Sequence, residues 1–297
     1  MNSTITAVAG VEVGHWTNAE ARTGCTVIVL PEPNVTTAEV RGAAPGTREY
    51  ALLQKGMRVE QAQAILLTGG SAFGLAAADG VVRALAADGR GHPTPVTPVP
   101  IVPAAVLFDL RPDDLGVRPG PDQGEAAYRA ASSDPVQSGS VGAGTGATVA
   151  KWRGFAHMQK GGIGSGLVEV GEAKVGALAA VNAVGDVFTV AGEPITGGTP
   201  VPGPPALVPA AFTNTTLIVI ATDARLSRID LTWLAVRAHD ALAACVRPAH
   251  SRYDGDIVFA VSCGTVEADI DGVAEGAFEA TADAIVDAVR AAAGSGA

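Results

Sequence analysis

The chain has 297 residues, enough to bury a core without disulfide or metal staples, as one large α/β domain or two small ones. Charged residues make up 17% and hydrophobic ones 47%, against about 25% charged in ordinary soluble domains; little is left for solvated tails, and surface covered by other subunits is expected. A net charge of −10 excludes the basic face that nucleic acid demands.

In chain order, a β-rich run at Thr26 to Leu30 follows Gly14-His15-Trp16, and Arg41 to Arg48 reads as a loop by its Gly and Pro content. Ala64 to Thr68 predicts a short strand ending at Gly69-Gly70. From Leu75 to Ala87, apolar residues at helical spacing (Leu75, Ala78, Val82, Leu85) predict a helix, so the segment reads strand, glycine turn, helix. A Pro-rich stretch, Pro93 to Pro103, leads to a strand at Ala104 to Leu110, a loop over 111–123 and a short helix at Glu125 to Ser132. The Gly139 to Gly146 run is glycine-rich. Val168 to Val170 and Val175 to Val181 predict a hairpin turning at Gly171-Glu172.

Residues 191–213 are breaker-rich and read as a flexible linker. A strand at Leu217 to Ala221 follows. Ser227 is a suitable N-cap for a helix over Arg228 to Cys245, with Ile229, Leu231, Leu234, Ala238 and Leu242 inward. Ile257 to Val261 predicts a strand and Val273 to Ala293 a final Ala-rich helix. The mixed order of elements predicts a layered α/β or α+β fold.

Cys25, Cys245 and Cys263 are odd in number and form no CxxC pair, so neither a disulfide framework nor a thiolate metal site is expected. The five histidines (His15, His92, His157, His239, His250) make no HxxxH or HxH pair, so no metal is expected; His15 and His157 are candidates to line a pocket. No cofactor is expected. No basic-then-apolar leader opens the chain and no apolar run reaches about 18 residues, so a cytoplasmic protein without a membrane span is expected.

Gly69-Gly70-Ser71-Ala72-Phe73-Gly74 sits where a nucleophile elbow or dinucleotide fingerprint would lie, but Phe73 and Ser71 stand where each pattern needs glycine. A structural turn for close strand–helix packing is the favoured reading. A nucleotide-binding module stays as an alternative.

Asn214-Thr215-Thr216 is the informative site. It follows the linker, opens an apolar strand, and places a β-hydroxy residue where it can attack its own preceding carbonyl in an N→O acyl shift. The product is an N-terminal threonine whose α-amine, with an ordinary pKa of about 7.7–8.0, suits a general base for the adjacent hydroxyl. Asp254-Gly255-Asp256 opens another strand, with two acids whose carboxylates can lean to one side of a turn and couple in titration.

The chain resembles the DmpA/NylC family of self-processing β-peptidyl aminopeptidases and nylon-oligomer hydrolases. The likeness runs from Gly10-Val11-Glu12-Val13-Gly14-His15 and Arg22-Thr23-Gly24-Cys25-Thr26, through Leu67-Thr68-Gly69-Gly70-Ser71-Ala72-Phe73-Gly74-Leu75, to Asn-Thr-Thr and Asp-Gly-Asp. It implies a single αββα sandwich like that of N-terminal nucleophile hydrolases, with its own topology, cut into 1–214 and 215–297. It implies Thr215 as nucleophile, Lys151 after the Gly-rich stretch, Asn182 after Ala-Ala-Val as oxyanion donor, and Asp254 and Asp256 as acids orienting the new ammonium and Lys151; Lys151 would lower the nucleophile's pKa or hold the Asn214 carbonyl during self-cleavage. The aminopeptidase branch carries Ser and Glu at the two acidic positions, so the chain leans to the nylon-hydrolase branch. Family members often have Tyr where Phe108, a candidate substrate contact, stands here. A homotetramer of αβ heterodimers acting on small amides, peptides or 6-aminohexanoate oligomers is implied. The alternatives are a β-peptidyl or D-amino-acid aminopeptidase and an acyltransferase similar to ornithine acetyltransferases.

Overall fold

Strands that are apolar on both faces must be covered on both faces, and that condition sets the layering of this protein. The computed structural model describes residues 2–111, 113, 116–206 and 214–294. Its strands are β1 (Glu12–Asn18), β2 (Thr23–Val29), β3 (Val35–Val40), β4 (Thr47–Arg48), β5 (Ala64–Thr68), β6 (Ala104–Val106), β7 (Thr148–Val149), β8 (Gln159–Lys160), β9 (Gly162–Val170), β10 (Ala173–Asn182), β11 (Asp186–Val187), β12 (Thr215–Ala224), β13 (Val246–Arg247) and β14 (Ile257–Val266). The helices are α1 (Ala77–Ala87), α2 (Pro121–Arg129), α3 (Arg228–Cys245) and α4 (Ile270–Gly294).

Two five-stranded sheets form, in the orders β1-β2-β5-β6-β4 and β3-β14-β12-β10-β9. Each has one parallel pair, β5 with β6 and β12 with β14; the other pairs are antiparallel. Side chains alternate between faces along a strand. In the first sheet Ile28, Ile65 and Leu67 point inward, meeting Leu217, Val219 and Phe259 of the second. The outward residues Val27 and Leu66 pack on Val81 and Leu85 of α1 and on Ala127 of α2. In β12 the outward Ile218 and Ile220 meet Leu231 and Leu234 of α3 and the buried stripe of α4. The result is the expected α-β-β-α stack of four layers. Among the described residues no helix is long and apolar enough to cross a membrane.

Helix α3 begins where its cap predicts. The Asp230 N–H donates to Ser227 Oγ (3.3 Å), and the Ser227 N–H donates to Asp230 Oδ2 (3.1 Å). Leu231, Leu234, Ala238 and Leu242 are buried, but Ile229 is 65% exposed. Two residues before Leu231, it lies roughly 200° round the helix from that stripe and shares the outer face with Trp233. The β9–β10 hairpin turns at Gly171-Glu172 as expected. Other boundaries shift. Residues 71–76 form a 3-10 turn before α1, and α2 starts at Pro121, four residues earlier than its periodicity suggests, where the Gln123 side chain accepts from the Gly120 N–H (3.0 Å). The strand expected over 104–110 ends at Val106, beyond which the Phe108 carbonyl accepts from the Asn182 side chain and the Asp109 carboxylate from the Gly70 N–H.

The opening of the 191–213 stretch is anchored rather than free. Ile195 N–H donates to Val187 O (2.8 Å), Thr196 Oγ1 donates to Asp186 Oδ1 (2.9 Å), and Arg153 holds both Asp186 and the Thr196 carbonyl. Residues 207–213 of the predicted linker lie outside the described residues.

Candidate active site

Strand order brings together residues that are far apart in sequence. Strands β10, β12 and β14 are neighbours at the centre of the second sheet. Asn182, the last residue of β10, pairs with Thr215, the first of β12. Asn214 bridges in parallel to Asp254, just before β14. One sheet end therefore collects Asn182, Asn214, Thr215, Asp254 and Asp256, all 5% exposed or less.

Thr215 Oγ1 donates to the carbonyl oxygen of Asn214 (2.5 Å), and the Gly255 N–H donates to that same oxygen (3.0 Å). Among the described residues, neither side-chain amide atom of the buried Asn214 has a hydrogen-bond partner; each such group costs about 1–3 kcal/mol.

Lys151 reaches the site from the segment after β7, where its N–H donates to Val184 O (2.9 Å). Taken alone, a single lysine there reads as a solvated surface residue; the structure buries it at 6% exposure. Its Nζ donates to Thr148 Oγ1 (3.1 Å) and to Asn182 Oδ1 (3.2 Å). The Thr148 N–H also donates to Asn182 Oδ1 (2.9 Å), and Asn182 Nδ2 donates to Phe108 O (3.1 Å). Burial lowers the Lys151 pKa to about 7, with the Asp254 charge opposing the shift and Arg111 adding to it.

The two acids have separate partners. Asp254 Oδ2 accepts from the Ser251 N–H (2.9 Å) and Ser251 Oγ (2.5 Å). Burial raises its pKa to about 7, and Asp256 pushes the same way, against the Ser251 hydrogen bonds and Lys151. Asp256 Oδ1 accepts from the Thr216 N–H (2.7 Å), while its Oδ2 accepts from the His250 N–H (3.1 Å) and lies 2.9 Å from His250 Nδ1. The Asp256 carboxylate thus holds backbone beside the Asn214–Thr215 bond, while that of Asp254 is turned to Ser251. Lys151 bonds to Asn182, and the Asn214 carbonyl bonds to Gly255 and Thr215.

A cavity of about 310 Å³ opens on Thr215, lined among others by Pro45, Ser71, Val106, Phe108 and Tyr253. Phe108 is therefore part of the wall of the cavity that opens on Thr215. Neither His15 nor His157 is among its walls. His15 Nδ1 lies 2.9 Å from Thr26 Oγ1, and burial lowers its pKa to about 4.

The glycine turn does more than let a strand and a helix pack closely. Gly70 N–H and Thr23 Oγ1 both donate to the Asp109 carboxylate (2.7 Å each), and a Cβ at Gly69 would sit 2.0 Å from Asp109 Oδ2. The turn grips the residue after Phe108 and lends Ser71 and Ala72 to the cavity wall. A carboxylate occupies the Gly70 N–H, a group a phosphate bound at this turn would use, which counts against the nucleotide-binding alternative. Thr148, Ser251, His250 and Asp109 were not singled out from the sequence. Only Ser251, three residues before Asp254, leaves a local signal, that of a side-chain-bonded turn.

A family model described as peptidase family S58 matches residues 3–296. The chain is 40% identical over 292 residues to an uncharacterized aminopeptidase of Mycobacterium tuberculosis, covering 90% of this chain and 83% of the relative. It is 30% identical over 275 residues to the 6-aminohexanoate-oligomer endohydrolase of Paenarthrobacter ureafaciens, covering 87% and 74%. Among solved structures, a Burkholderia sp. β-aminopeptidase superposes with a TM-score of 0.75 at 25% identity, covering 98% of this chain and 87% of the other. The L-aminopeptidase D-Ala-esterase/amidase of Ochrobactrum anthropi, described as a variant of the Ntn hydrolase fold, superposes with a TM-score of 0.78 at 22% identity, covering 98% and 86%, and supports the fold.

Proposed function

Because the chain belongs to peptidase family S58, a family of amide-bond hydrolases, we propose that it cuts its own Asn214–Thr215 bond and then hydrolyses small amides, peptides or 6-aminohexanoate-type oligomers with Thr215 as nucleophile. The observation that carries this reading is Thr215 Oγ1 lying 2.5 Å from the oxygen of the carbonyl it would attack, at the first residue of a buried central strand.

In this reading, Thr215 Oγ1 attacks the substrate carbonyl to form an acyl-enzyme, its freed α-amine takes the proton, and water releases the acid. Asp256 holds the Thr216 N–H and so fixes the nucleophile's backbone. Asp254 and Lys151, both titrating near neutrality, supply charge that can change during turnover. Asn182, through the second hydrogen of its amide, is available to a substrate carbonyl. The relatives support the aminopeptidase and the oligomer-hydrolase variants alike, since their names include both. Association into a homotetramer of αβ heterodimers belongs to the same reading; the exposed Ile229 and Trp233 face of α3 supports it, and light scattering on the eluted protein tests it.

On a denaturing gel the 29.7 kDa chain should resolve into residues 1–214 and 215–297, the second beginning at Thr215 by N-terminal sequencing. Thr215→Ala should stay whole and inactive on amides. A wild type that stays whole after long incubation, together with an active Thr215→Ala, would sink the proposal.

A further inference from the structure

Self-cleavage by Thr215 creates an oxyanion on the Asn214 carbonyl oxygen, and some donor must receive it. Asn182 Nδ2 gives one of its two hydrogens to Phe108 O and Lys151 Nζ donates to Thr148 and Asn182; among the described residues neither is hydrogen-bonded to the Asn214 oxygen. The scissile oxygen instead accepts the Gly255 N–H at 3.0 Å, beside the attacking hydroxyl. We propose that the Gly255 backbone N–H is the oxyanion donor for self-cleavage and, once Asn214 has left, for the substrate carbonyl. This inference rests on Thr215 being the nucleophile.

A hydrogen bond in a parallel bridge would by itself be ordinary sheet structure. Two further features distinguish this one. First, position 255 has no room for a side chain: a Cβ would lie 2.8 Å from Thr215 Oγ1 and 2.7 Å from Ala44 O. Glycine is what lets the N–H and the nucleophile share one carbonyl. Second, the donor is fixed from both sides before any charge develops. Asp254 is held by Ser251 through its carboxylate and by the Ala44 N–H through its carbonyl (2.9 Å). Asp256 is held by Thr216 and His250 through its carboxylate, and its carbonyl accepts the Arg41 N–H (3.0 Å). A donor that does not reorganise during reaction is what stabilises a developing charge best.

The step balances without further reagents except water. Thr215 Oγ1 bonds to the Asn214 carbonyl carbon, and the C=O electron pair moves onto the oxygen facing Gly255. The hydroxyl proton ends on the Thr215 nitrogen as the C–N bond breaks, leaving an ester and a free amine. Water then hydrolyses the ester to the Asn214 carboxylate and the Thr215 hydroxyl. A substrate amide repeats the sequence with its own carbonyl oxygen where that of Asn214 had been.

The test replaces Gly255 with glycolate in the full chain, so that an ester oxygen stands in place of the N–H and no side chain is added. Self-cleavage should slow by about 10²–10³-fold, the usual effect of losing one oxyanion donor, and amide turnover of the cleaved form should fall by a similar factor. A second readout needs no cleavage: in Thr215→Ala the amide I band of a ¹³C-labelled Asn214 carbonyl should move to higher frequency when the N–H is removed. Wild-type splitting by the glycolate protein, or an unmoved band, overturns the assignment of Gly255 while leaving Thr215 intact as nucleophile. An unmodified chain that never splits at 214–215 overturns both.

Discussion

The two sheets divide the work differently. The second sheet supplies Asn182, Thr215 and the Asp254–Asp256 turn from the ends of three adjacent central strands, each 10 residues long. The first sheet ends in short strands, β4 with 2 residues and β6 with 3, and gives the site a wall: Val106, Phe108 and the glycine turn gripping Asp109. Long strands buried on both faces hold a reacting group rigidly, because moving it would disturb pairing and packing together. Loops that follow short strands can set the shape of a binding space at smaller cost to the fold. Under the proposed function, bond cutting falls to one sheet and substrate fit to the other.

The strongest test of that division is Asp256→Ala. It removes the acceptor for Thr216 N–H and His250 and should destabilise the uncut protein by about 3 kcal/mol, while displacing Thr215 enough to slow self-cleavage about 100-fold. Gel time courses and chemical denaturation read the two effects. Asp109→Ala probes the other sheet. Freeing Phe108 and the glycine turn should lower kcat/KM for amide substrates about tenfold, mostly through KM, with self-cleavage unaltered. Equal losses in both reactions would show that the sheets do not act separately.

A smaller effect is expected at Asn214, whose buried amide has no partner among the described residues. Asn214→Ala relieves that cost in the uncut chain and leaves less to gain on cutting; with about 1 kcal/mol of it released on the way to the transition state, splitting should slow by about fivefold. Faster splitting would mean that the amide plays no such part.

The smallest expected effect is on stability against pH in the uncut Thr215→Ala background. The folded Asp254 pKa is raised to about 7. Between the ordinary carboxylate range and pH 7 the folded chain holds a proton that the unfolded chain has lost, so this group's contribution falls as pH rises to 7 and stays unfavourable above it. Lys151 is lowered to about 7. The unfolded lysine binds the extra proton from pH 7 to its ordinary range, so its contribution recovers as pH rises there. Asp254→Asn should therefore raise Tm more at pH 8 than at pH 5, by roughly 2–4 °C per kcal/mol relieved. Equal gains at both values would exclude burial of the charge as the cause.

Much of the framework could be read along the chain. The β5 strand, the β9–β10 hairpin and both ends of α3 follow from apolar runs, a glycine turn and a serine cap. Ile229 reads as inward because apolar residues alternate with polar ones at the start of α3 (Ile229, Leu231, Trp233), and that alternation does not show which of them share the buried stripe. Thr215 stood out because its chemistry depends on its own neighbours in sequence. Asp256 did not show its partners, since Thr216 is 40 residues away and is reached only through strand pairing.

The sequence by itself determined the alternating strands, the helix ends, the family resemblance and the hydroxyl able to attack its own preceding carbonyl. Tertiary structure alone decided that Lys151 is buried and titrates near neutrality, that Asp109 fills the glycine turn, and that Gly255 faces the Asn214 carbonyl. The division has a physical reason. Strand alternation, helix capping and an acyl shift act over a few residues, whereas desolvation and hydrogen-bond pairing depend on whichever distant segments the fold brings alongside.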